Sequence, residues 1–81
     1  MNNIKDKVKK IVSKQFGIKK INISNKISLR NDLGADSLDM IELIMSLEEN
    51  FNIIITDDES EKLNTIKELI NLIKSKLKNN L

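Results

Sequence analysis

The sequence predicts a small all-α bundle of three main helices plus one short helix, with a long loop between the first and second helices. Three observations carry this. Apolar residues recur at the 3.6-residue period in three stretches. A capping residue stands at the start of each stretch, and no proline interrupts any of them. The 81 residues suffice for one core and are too few for two, so a single domain over 1–81 is expected.

The first helix is expected from Asn3 to Phe16, with Ile4, Val8, Ile11, Val12 and Phe16 on one face. Asn3 suits the N-cap, and Gly17 offers a left-handed stop. From Gly17 to Ala35 no helical period is evident. Ile21, Ile23, Ile27, Leu29 and Leu33 recur there, so the segment reads as a long loop strapped across the bundle by its apolar side chains. A strand from Ile21 to Leu29 has no evident partner. The second helix is expected from Asp36 to about Asn50. Thr56-Asp57-Asp58-Glu59 starts one short turn of helix. Thr65-Ile66-Lys67-Glu68 is a capping box, and Ile66, Leu69, Ile70, Ile73 and Leu77 follow it as an apolar stripe.

Charge is sorted along the chain. Residues 1–31 carry nine bases and one acid, residues 32–61 ten acids and no base, and residues 62–81 five bases and one acid. The net charge of +2 hides a concentrated negative block in the middle. Ile, Lys and Asn number 14, 13 and 11, a bias typical of A+T-rich coding, which weakens any functional reading of a single surface lysine. There is no Cys, which excludes disulfides and thiolate metal sites, and no His, which removes the usual general base and metal ligand. Hydrolase triads and zinc enzymes are therefore not expected. No apolar run approaches a membrane span and no signal peptide is recognisable, so a cytosolic or organelle-matrix protein is expected, with the cytoplasm as the first choice.

The second helix has two apolar stripes. Met40, Leu43, Ile44, Leu47 and Phe51 share the face expected to enter the core. Leu38 and Met45 lie opposite, with Ile41 at the flank, among Glu42, Glu48 and Glu49. Apolar knobs set among carboxylates are what a transient interface for basic partners requires.

At the start of this helix stands Asp32-Leu33-Gly34-Ala35-Asp36-Ser37-Leu38-Asp39. On its own, Ser37 is a solvated serine at a helix start. With its surroundings it resembles the attachment motif of acyl carrier proteins of type II fatty acid synthesis. Glu42-Leu43-Ile44-Met45, Leu47-Glu48-Glu49 and Phe51 extend the resemblance, as do Asp57-Asp58-Glu59, Glu61-Lys62 and Val8-Lys9-Lys10-Ile11. Asn31, Asn50 and Asn52 stand where that family often has acids, and Thr56 where proline is frequent.

The resemblance implies that Ser37 receives 4′-phosphopantetheine from coenzyme A through a holo-carrier synthase and Mg²⁺. It implies that acyl chains ride on the terminal thiol, so the chain needs neither Cys nor His and is not an enzyme. Asp36, Leu38, Asp39, Ile41, Glu42, Met45, Glu48 and Glu49 match the family's docking face for ketoacyl synthases, reductases, dehydratase and acyltransferases. Met40, Ile44, Leu47, Ile55, Leu63, Leu69 and Leu72 are the candidate lining of an acyl-chain pocket between the helices. A monomer that binds neither membrane nor nucleic acid is expected.

Other readings stay open at this point. A carrier for a polyketide, aminoacyl or D-alanyl cargo would share the fold and the serine. Lys5, Lys7, Lys9, Lys10, Lys14, Lys19 and Lys20 would suit a nucleic-acid-binding helical domain, but no aromatic stacking residue accompanies them and the acidic middle repels phosphates. An esterase built on Ser37 lacks a base. The carboxylates at Asp32/Asp36/Asp39 and Asp57/Asp58/Glu59/Glu61 lack EF-hand spacing, so only loose Ca²⁺ or Mg²⁺ binding is expected of them, as charge relief.

Overall fold

Each expected helix forms where its cap starts it. In the computed structural model, which describes residues 3–79, α1 is Ile4–Phe16, α2 Ser37–Phe51, α3 Asp57–Lys62 and α4 Ile66–Asn79. The Asn3 side chain accepts from the Asp6 N–H at 3.3 Å, and Gly17 ends α1 with φ at +68°. Thr56 and Glu59 cap α3 reciprocally. At the start of α4, the Glu68 carboxylate accepts the N–H groups of both Thr65 and Asn64 at 2.9 Å, while the Glu68 N–H donates to Thr65 Oγ1 at 3.2 Å. Asn52 ends α2 in the left-handed conformation, φ 55°, which asparagine tolerates better than most residues.

α1 packs against both α2 and α4. The core between them is wholly aliphatic: Val8 and Val12 of α1, Met40, Leu43, Ile44 and Leu47 of α2, Leu63, and Ile66, Leu69, Ile70 and Ile73 of α4 are buried. Ile53 and Ile55 close it from the segment between α2 and α3, whereas Ile54 points outward. Phe51, Leu72 and Leu77 are partly buried at its edge.

The long loop is strapped across the bundle, but not by every residue expected to do so. Ile23 and Leu29 are buried, and full burial of such a side chain is worth about 1.5–3 kcal/mol. Ile21 is 90% exposed, because it sits in a one-turn 3₁₀ helix, Lys20–Asn22, that rotates it away while delivering Ile23 inward. The loop also has a backbone partner that the sequence did not reveal. Ser28 forms an isolated antiparallel bridge with Thr65, and the N–H groups of Leu29, Ile66 and Lys67 donate to Asn64, Ile27 and Asn25 carbonyls at 2.6, 3.1 and 3.0 Å. The loop is thus fastened to the first turn of α4. Ser28 is buried there, its hydroxyl donating to Asn64 Oδ1 at 2.9 Å.

Candidate functional site

The site grows from the fastened loop. The Ala35 N–H donates to the Leu29 carbonyl at 2.9 Å, which fixes the end of the strap just before α2. Gly34 makes the turn between them at φ +65°. No atom lies within 4 Å of where its Cβ would be, so glycine is required by the backbone and not by crowding; a side chain there costs about 1–2 kcal/mol. Asp36 then caps α2. Its carboxylate accepts the Asp39 N–H at 2.8 Å, and its own N–H donates to Asp39 Oδ2 at 3.2 Å. From α1, Gln15 Nε2 donates to the Asp39 carbonyl at 2.7 Å and ties this first turn to the bundle.

Ser37 is the first residue of α2, exposed, and left out of the capping box that engages Asp36 and Asp39. It lines an open cleft of about 580 Å³ between the start of α2 and α3, together with Arg30, Ala35, Asp36, Met40, Ile41, Asp57, Ser60 and Glu61. A hydroxyl beside open space at a helix N-terminus suits an attached phosphate, since the free N–H groups and the helix dipole favour negative charge there.

Along the outer face of α2, Leu38, Ile41 and Met45 are 61%, 56% and 57% exposed. Asp36, Glu42 and Glu49 are exposed beside them, and Asp39 is half-buried. Glu48 differs: half-buried, it accepts the Ile55 N–H at 2.8 Å and so holds the connection to α3. Glu42 also borders a groove lined by Lys7, Lys10 and Lys14 of α1, so cations flank that end of the acidic face.

Of the seven residues expected to line an acyl pocket, Met40, Ile44, Leu47, Ile55, Leu63 and Leu69 are buried in one core and Leu72 packs at its edge. Met40 alone of these also borders the Ser37 cleft. The carboxylates considered for loose cation binding do not converge: among the described residues no three metal-ligating side chains come together. Four of them are engaged instead. Asp32 accepts the Ser28 N–H at 2.7 Å, Asp36 and Asp39 cap each other, and Glu59 pairs with Lys76 of α4 at 2.7 Å. That hydrogen bond, with a further one from the Thr56 N–H, lowers the Glu59 pKa to about 2.

Sequence reasoning missed Gln15 and Arg30. Neither lies in the motif, and each reaches the start of α2 only through the packing of another element.

The geometry has known counterparts. The family described as the phosphopantetheine attachment site matches residues 6–73. An acyl carrier protein of Buchnera aphidicola subsp. Schizaphis graminum is 51% identical over 78 residues, covering 96% of this chain and 99% of the relative. The chain belongs to the acyl carrier protein family. Two solved acyl carrier proteins share its fold. That of Thermotoga maritima superposes with a TM-score of 0.79 at 31% identity, covering 93% of this chain and 87% of its own. That of Enterococcus faecalis superposes with a TM-score of 0.79 at 32% identity, covering 90% and 92%. As an acyl carrier protein the chain is a carrier and not an enzyme, with phosphopantetheine as its prosthetic group. Membership implies interaction with fatty acid synthesis enzymes and with the synthase that loads the group. Among the described residues no helix is long and apolar enough to cross a membrane.

Proposed function

We propose that Ser37 is the attachment residue and that residues 1–81 act as one carrier domain, bringing fatty acyl chains to the enzymes that extend and reduce them. The observation that carries this is the exposed Ser37 hydroxyl, outside the capping box and facing an open cleft at the N-terminus of α2. In loading, Ser37 Oγ loses its proton and forms a phosphodiester with the phosphopantetheine moiety of coenzyme A, while adenosine 3′,5′-bisphosphate leaves. The chain has no His to take that proton, and the reading gives it to a base of the synthase. When bound, the group supplies the thiol that holds the acyl chain as a thioester.

The chain's own residues then position and present. Asp36, Asp39 and Gln15 fix the first turn of α2, so the arm departs from a rigid point. Asp36, Leu38, Asp39, Ile41, Glu42, Met45 and Glu49 form the docking face for ketoacyl synthases, reductases, dehydratase and acyltransferases, with Glu48 at its edge holding the Ile55 N–H. Its small apolar knobs and many carboxylates favour fast, steered encounter over long residence, which suits a carrier released after every step. Met40, Ile44, Leu47, Ile55, Leu63, Leu69 and Leu72 receive the acyl chain. The reading includes a monomer working in the cytoplasm.

Incubation with coenzyme A, Mg²⁺ and a holo-carrier synthase, followed by intact-mass measurement, tests the attachment. One phosphopantetheine per chain is expected, and Ser37→Ala abolishes it. Labelling that persists in Ser37→Ala, or never appears in the wild type, overturns the reading.

A further inference from the structure

The chain holds thirteen lysines and one arginine, and the one arginine stands in the Ser37 cleft. The lysines follow the chain's compositional bias; a lone guanidinium against that bias, in that place, calls for a physical reason. The other charged side chains lining the cleft are Asp36, Asp57 and Glu61, all negative. Among the described residues the ion pairs are Lys20–Asp6 and Lys76–Glu59, so Arg30 is committed to neither. It is exposed, and the loop that carries it is pinned on both sides, by the Ser28–Thr65 bridge and by the Ala35 N–H to the Leu29 carbonyl.

We propose that Arg30 is a positioning residue for the prosthetic group: its guanidinium holds the phosphodiester formed on Ser37 against the cleft. This rests on Ser37 being the attachment residue. A phosphodiester at Ser37 carries a negative charge into a cleft where three carboxylates repel it. The N–H groups at the start of α2 favour it, but the Asp36 carboxylate already occupies the Asp39 N–H. Arg30 supplies the one cationic side chain lining the cleft. A guanidinium also presents a planar fork that meets two phosphate oxygens at once, which an ammonium does not. Because the pair is exposed, the hold is loose and screened by salt. The arm can therefore lie along Met40 and Ile41 at rest and still swing out to a partner.

The test uses the holo protein. Wild type, Arg30→Gln and Arg30→Lys are loaded enzymatically, and intact mass establishes one group per chain before anything else is measured. A wild type that does not load, or a Ser37→Ala that does, is a failure of the attachment reading and is recognised at this step. The ³¹P resonance of the phosphodiester is then recorded at low and high salt, with the urea-unfolded holo protein as reference. In the folded wild type at low salt, the resonance is expected to stand apart from the unfolded position and to move toward it as salt rises. Arg30→Gln is expected to lie at the unfolded position throughout, and Arg30→Lys between the two. Coincident wild-type and Arg30→Gln resonances overturn the proposal. If Arg30→Gln resists loading, the wild-type titration decides alone, and a resonance that does not respond to salt overturns it.

Discussion

Lys7 of α1 lies over the ring of Phe51, the last residue of α2, with Nζ 5.1 Å from the ring centroid. The same ammonium donates to the Asn50 carbonyl at 3.3 Å. The last turn of α2 contains no base of its own, so its unsatisfied carbonyls and the negative end of its dipole have no cation within the helix. α1 provides one from outside. A single side chain thereby joins the two helices where the core thins to the partly buried Phe51.

Replacing Lys7 by Met keeps the aliphatic stem and removes the charge. Both lost contacts are exposed, and the expected destabilisation is about 0.5–1 kcal/mol. Urea denaturation measures it, and the difference from wild type should shrink in high salt. A Lys7→Met protein as stable as wild type at low salt would show that the contact contributes nothing.

Glu59 connects α3 to α4 and should leave a signature in acid. Its pKa is lowered from 4.5 to about 2, chiefly by the hydrogen bond from Lys76 and then by the Thr56 N–H. A carboxyl whose folded pKa is depressed contributes stability that is complete above the unfolded value and disappears as pH falls through the folded one. The window here runs from about pH 4.5 down to about 2. Lys76→Met should therefore be less stable than wild type near neutrality, with the gap closing across that window. Both side chains are partly exposed, 25% for Lys76 and 32% for Glu59, so the gap should be small and salt-sensitive. A gap constant from pH 7 to 2 would assign the loss to packing of the lysine stem instead.

What the sequence made legible followed local rules. Helix boundaries were readable because Asn3, Asp36, Thr56 and Thr65 each cap through contacts within three residues. The core faces of α1, α2 and α4 were readable because helical periodicity fixes which residues share a side. Ser37 was singled out by the motif around it. Ile21 and Ile54 were not distinguishable from Ile23 and Ile53, since outside a periodic element nothing local decides which isoleucine turns inward. Glu48 looked like another outward acid because its partner, the Ile55 N–H, lies across a helix end. Arg30 and Gln15 approach α2 only through the fastened loop and through α1, contacts that no spacing along the chain encodes.

The acidic face should act mainly on association. Charge reversal at Glu49 is expected to slow binding to a ketoacyl synthase on the order of tenfold at low salt, with the effect fading as salt screens it. Reversal at Glu42 should do less, because Lys7, Lys10 and Lys14 already line the groove it borders. Reversal at Lys9 or Lys10 should do least. Stopped-flow association at two ionic strengths separates these cases. Lysine changes more damaging than the glutamate ones would move the docking face to α1.

The last prediction concerns where the acyl chain goes. Met40 is the one candidate that touches both compartments: it is 5% exposed, a member of the core, and part of the wall of the Ser37 cleft. A chain entering from Ser37 would pass Met40 and part a seam of the aliphatic core, and a flexible thioether is the side chain best able to give way. Each methylene that leaves water is worth about 0.8 kcal/mol, against the cost of separating packed side chains. Six carbons would supply about 5 kcal/mol before that cost, enough to leave a measurable surplus. Acylation should therefore raise Tm above that of the holo form in the same buffer, since the unfolded chain offers no such burial. Lengthening the acyl chain should raise it further until the seam is filled, and then no more. An acyl form that melts with the holo form at every length would mean that the chain lies outside the bundle, and the seven lining residues would be ordinary core.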